Sequence, residues 1–143
     1  MTDELVFETY IKAPAEKVWE AITTSEFRRQ YFFGSSIDAD WRVGGRLVSH
    51  SPDGDVWGDN EIYEYDPPRL LSHGWRSLYE PELAAEPESR VTWTIEPQDG
   101  DYVKLTVVHD RLGASPKTAQ SVRGWSFIVS GLKSVLETGS GLG

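Results

Sequence analysis

The segment 117–137 carries apolar residues at Val122, Trp125, Val129, Leu132 and Leu136, in steps of three, four, three and four. That spacing lines them up as one stripe of an α-helix and predicts a single long helix over the segment. The runs before it are rich in β-branched and aromatic residues, so the helix has a sheet to lie on. A long helix across a curved antiparallel sheet encloses space, and the expected consequence is a small-molecule pocket.

The strands can be read in turn. Residues 5–12 suit a half-buried strand. Ala13-Pro14-Ala15 opens a helix that ends at Thr23 or Thr24, since proline fits a first helical turn. Ser25 is placed to cap a second short helix reaching about Tyr31, with Gly34 as its stop. Strands follow at 35–40, at 46–50 after the Gly44-Gly45 turn, at 56–65 and at 70–76. The clearest hairpin pairs 90–96 with 102–110 around Pro97-Gln98-Asp99-Gly100. There Val91, Trp93 and Ile95 share one face, as do Val103, Leu105, Val107 and His109. Residues 79–89 hold Pro81, Pro87 and four glutamates, and read as a mobile acidic loop, either a lid or an uninvolved insertion. The expected architecture is α+β: a curved antiparallel sheet of six or seven strands gripping a long C-terminal helix, with two short helices after strand 1. Residues 1–139 form one domain in this reading, with a frayed tail at 140–143.

In this order the residues resemble a known family. Ile11-Lys12-Ala13-Pro14-Ala15-Glu16-Lys17-Val18-Trp19-Glu20-Ala21-Ile22-Thr23 is similar to the opening of the SRPBCC superfamily, the Bet v 1/START-like helix-grip proteins. Gly44-Gly45, the run from Tyr63 to Leu70, Leu105-Thr106-Val107-Val108-His109 and the ending from Gly124 to Gly139 resemble the branch named for the activator of Hsp90 ATPase. The resemblance implies a helix-grip fold. It also implies a choice of roles: binder of a hydrophobic, aromatic or lipid-like molecule, stress-response or co-chaperone module with a protein partner, or polyketide cyclase-like enzyme. Fold does not choose among them.

Composition removes several classes. The chain has 23 acidic against 14 basic residues, a formal charge of −9, which opposes the basic surface that nucleic acid needs. Arg28, Arg29, Arg42 and Arg46 lie close in sequence and read as solvated side chains on a helix and a hairpin. No apolar run approaches the roughly 20 residues that cross a bilayer. The start Met1-Thr2-Asp3-Glu4 is acidic rather than signal-like. With no cysteine there is no disulfide or thiolate site, and a cytoplasmic protein is expected. Asp53, Asp55, Asp59 and Glu61 lack calcium-loop spacing, so no metal is expected; with no phosphate loop or nucleophile elbow, no cofactor or hydrolase nucleophile is either.

Six tryptophans and six tyrosines remain to be placed. Alternation brings Trp93, His109 and Trp125 together between sheet and helix, with His73 and Trp75 on the same wall, Val129 on the helix and Phe33 at one end of the cavity. These are the candidate ligand-binding residues; the alternative is that the rings only fill a core. His73 and His109 are the acid/base candidates, with Glu61 and Glu64 as conceivable partners. A histidine facing a sheet is more commonly a hydrogen-bonded structural residue, and no catalytic residue is assigned. Gly124 and Gly131 stand seven apart in the helix, each costing about 1 kcal/mol against alanine. They leave room either for a ligand or for close packing.

Overall fold

Strand alternation sets which side chains meet and where the sheet bends. The computed structural model describes residues 3–142. Strand β1 (Leu5–Ile11) leads through helices α1 (Ala15–Thr23) and α2 (Ser25–Tyr31) to β2 (Ser36–Ala39), β3 (Arg46–His50), β4 (Val56–Asp66) and β5 (Leu70–Trp75). A short helix α3 (Pro81–Ala84) precedes the hairpin β6 (Ser89–Pro97) and β7 (Val103–Asp110). The chain closes with α4 (Pro116–Ser121), a 3-10 turn (Val122–Gly124) and α5 (Trp125–Thr138). The seven strands form one antiparallel sheet in the order β1-β7-β6-β5-β4-β3-β2. α5 lies across it, packed on α2 and β1. Among the described residues no helix is long and apolar enough to cross a membrane.

Two register shifts bend the sheet. One lies in the β3–β4 pair near His50, the other in β4–β5, where Ile62 faces His73 and Glu64 faces Ser72. Tyr63 is therefore the extra residue of a bulge, and the strand's phase changes there. Gly58, Asn60 and Ile62 point inward before it; Glu61 and Glu64 both face solvent. Neither glutamate can serve the buried histidines.

The apolar stripe also shifts. A 3-10 turn advances about 120° per residue instead of 100°, so Val122–Gly124 rotates the following helix. Trp125, Val129 and Leu132 stay buried, Ile128 and Val135 join them, and Leu136 is only half-buried. The long helix is thus present in two pieces joined by the turn.

Three local expectations change. Ser25 does not cap α2: its Oγ accepts from the backbone N–H of Ile37 and donates to the carbonyl of Ile37, both at 2.9 Å, tying α2 to β2. Segment 79–88 is anchored rather than loose. The Glu86 carboxylate accepts from the backbone N–H groups of Lys117 and Thr118 and from the Thr118 hydroxyl, and Ser115 Oγ donates to the carbonyl of Pro87. At the C-terminus, the Ser140 carbonyl accepts from Ser134 and Thr138, while Gly143, like Met1 and Thr2, lies outside the described residues.

Candidate functional site

Between the concave side of β3–β5, α2 and the start of α5 lies a cavity of about 400 Å³, within the usual size of small-molecule sites. Its apolar wall includes Phe32, Trp57, Trp75, Trp125 and Ile128. The Trp75 and Trp125 rings are 5.4 Å apart, and Phe32 meets Trp125 edge-on at 5.8 Å. Opposite, Ser49 pairs with Gly58 across β3 and β4, and these two small residues leave the wall open. At the mouth, Phe33 takes a left-handed backbone conformation (φ 54°) and stacks on Phe127 at 6.2 Å. Strain of that kind in a bulky residue is held only by its surroundings.

The polar lining consists of Arg28, Ser35, Ser49, Asn60, His73, Ser77 and residues nearer the rim. Two atoms of lining residues, Asn60 Oδ1 and Trp75 Nε1, are themselves buried away from the cavity surface and have no hydrogen-bond partner among the described residues. Buried polar atoms are nearly always paired, so each of these needs an explanation.

The histidines are committed within the protein. His73 Nδ1 donates to the carbonyl of Gly74 at 2.8 Å, and its Nε2 accepts from Trp93 Nε1 at 3.1 Å. His109 Nδ1 accepts from Trp125 Nε1 at 3.0 Å, while its Nε2 donates to Ser89 Oγ at 2.7 Å; Ser89 then donates to the carbonyl of Trp75. Each pattern fits one neutral tautomer. Burial disfavours the cation, lowering His73 to about 4, with the Arg28 charge adding to the effect. Burial likewise lowers His109 to about 3, with His73 contributing.

Of the residues expected at the site, His73, Trp75, Trp125 and Phe33 line the cavity. Trp93 and His109 do not: they sit a layer deeper, with Trp125 packed edge-on against both rings. Val129 also misses the cavity, because the rotated α5 presents Ile128 instead. Arg28 was expected in solvent and is 6% exposed, on the inner side of α2 with Tyr31 three residues on. That spacing to a buried aromatic was the available signal. Asn60 is marked only by its phase with Gly58 and Ile62; Trp57 and Ser49 carried no signal of their own.

An antiparallel sheet wrapped around a C-terminal helix, with a cavity between them, is the helix-grip architecture of the SRPBCC proteins. Residues 12–137 match the family described as activator of Hsp90 ATPase homolog 1-like protein, and the chain belongs to that family. A comparison with curated proteins finds no significant match. Among solved structures, DynU16, a protein of the dynemicin biosynthetic locus, is 28% identical with a TM-score of 0.78, covering 99% of this chain and 49% of its own. Protein MLL2253 from Mesorhizobium loti is 24% identical with a TM-score of 0.73, covering 94% of this chain and 96% of its own. The Aha1 dimer from Colwellia psychrerythraea is 18% identical with a TM-score of 0.74, covering 99% of this chain and 100% of its own.

Proposed function

We propose that the protein binds a hydrophobic or aromatic small molecule in the cavity between β3–β5 and α5, without chemical turnover. The observation that carries this reading is a tryptophan-lined space of about 400 Å³ that also has a buried arginine, Arg28, in its lining. Burying apolar ligand surface there contributes roughly 25 cal/mol per Å², and the polar side chains of the lining supply orientation. Binding without turnover is supported by the histidines, whose ring nitrogens are all occupied by protein partners.

A second reading is an interaction module for a chaperone or other protein partner, supported by the family to which the chain belongs. The two readings separate in one experiment. Tryptophan fluorescence is followed during titration with aromatic, lipid-like and polyketide-like compounds, for the wild type and for Ser49→Phe, which fills the cavity opposite Gly58. Saturable quenching that Ser49→Phe abolishes supports the binder. A partner that both forms capture equally, with no response to the panel, supports the interaction module.

A further inference from the structure

Arg28 is the one buried arginine among the described residues, and no carboxylate pairs with it there. Its Nε donates to Ser35 Oγ at 3.3 Å, and its guanidinium carbon lies 4.1 Å from the centre of the Phe32 ring. The terminal nitrogens have no protein acceptor among the described residues. Arginine cannot relieve such a position by losing its proton, and a buried charge without a partner is costly. Carboxylates are not scarce in this chain: it holds 23 acidic residues, yet none lines the cavity. The other charged residue of the lining is a second arginine, Arg76, exposed at the rim.

Phe32 touches both Trp75, at 6.3 Å between rings, and the Arg28 guanidinium, so the charge stands beside the aromatic wall. The cavity therefore sets an unpaired cation inside a wall of aromatic rings.

We infer that the ligand of this cavity is an amphipathic carboxylate, whose headgroup pairs with the Arg28 fork and whose apolar body lies against Trp75, Trp125 and Ile128. This rests on the small-molecule reading above and names its chemical class. A carboxylate is acceptor-only and matches a guanidinium in a two-point contact. Arg76 at the mouth adds attraction on approach.

The test compares probes of one skeleton. 1-Naphthylacetate is titrated against 2-(1-naphthyl)ethanol, and decanoate against decanol, by tryptophan fluorescence and calorimetry at pH 7. The carboxylate of at least one pair is expected to bind about tenfold or more tighter than its alcohol. Arg28→Gln should bring the two to within about twofold of each other, leaving alcohol affinity nearly unchanged. Arg28→Met, without ligand, should match or exceed the wild-type Tm, because it removes an unpaired buried charge. Alcohols that bind as tightly as the carboxylates overturn the anion assignment and leave the cavity reading standing. Binding of neither class overturns both. An Arg28→Gln protein that does not fold would make Arg28 structural, and that too overturns the assignment.

Discussion

The indole N–H of Trp125 donates to Nδ1 of His109 at 3.0 Å, so the aromatic floor of the cavity hangs on an imidazole that must stay neutral. A parallel contact joins Trp93 to His73 at 3.1 Å. Protonating either ring would remove the acceptor and bury a charge. In the unfolded chain both imidazoles titrate near 6.5, whereas in the folded protein burial holds them near 4 and 3. Between those values the unfolded state binds more protons, so stability is fully present above about pH 6.5 and falls as pH falls toward 4. Each unit of separation corresponds to about 1.4 kcal/mol, and a loss of a few kcal/mol is expected between pH 7 and pH 4.5. Urea unfolding across that range checks it; a flat profile from pH 7 to 5 would contradict neutral, buried histidines.

Replacing His109 by phenylalanine keeps the ring's bulk and removes both hydrogen-bonding nitrogens. Trp125 Nε1 then loses its acceptor in a buried setting, and Ser89 Oγ loses its donor. Leaving such groups unpaired costs about 1–3 kcal/mol each. A stability loss of roughly 2–4 kcal/mol at pH 7 is expected, with a shallower acid slope than the wild type because one titrating group has gone. Chemical denaturation at two pH values reads both effects.

The two helix glycines serve different ends. A Cβ on Gly131 would stand 3.2 Å from Tyr31 Cβ, where α5 crosses α2, while one on Gly124 meets nothing within 4 Å. Gly131→Leu should therefore destabilise by about 1–3 kcal/mol through overpacking. Gly124→Ala should stabilise by about 0.5–1 kcal/mol, since its φ of −75° suits alanine. Thermal melts of the two variants should move in opposite directions.

Glu86 holds the acidic segment to α4. Burial alone would raise its carboxyl, but hydrogen bonds from Thr118 and Lys117 keep it below the usual range. Glu86→Ala removes three of the contacts that pin residues 79–88 and leaves the first N–H groups of α4 without side-chain acceptors. Limited proteolysis should cut this segment several-fold faster in the variant, with the β6–β7 hairpin unaffected.

Much of the fold was legible because periodicity and turn chemistry are local. Val91, Trp93 and Ile95 alternate cleanly, and β6 lies within one residue of its expected bounds at each end. The resemblance to the Hsp90-activator family carried the same fold over nearly the whole chain. The cavity wall was harder to read, since it depends on phase across elements. The Tyr63 bulge flips β4, and the 3-10 turn before Trp125 swaps Val129 for Ile128 at the lining. Arg28 was misread for another reason: charge suggests solvent, whereas its position on α2 fixes it inward.

The sheet order has a consequence for how this chain reaches its native state. β1 and β2 are consecutive strands yet occupy opposite margins of the sheet, and among the described residues the only strand bonded to β1 is β7. As the polypeptide emerges from a ribosome, Ile11, 0% exposed in the finished protein, waits for Val103 to arrive before it can be covered. Contacts so distant in sequence are slow to form. The meander from β2 to β5 has its neighbours at hand much earlier. Assembly is thus closed from the far end, and truncations that remove β7 strand the amino-terminal segment without a place to bind.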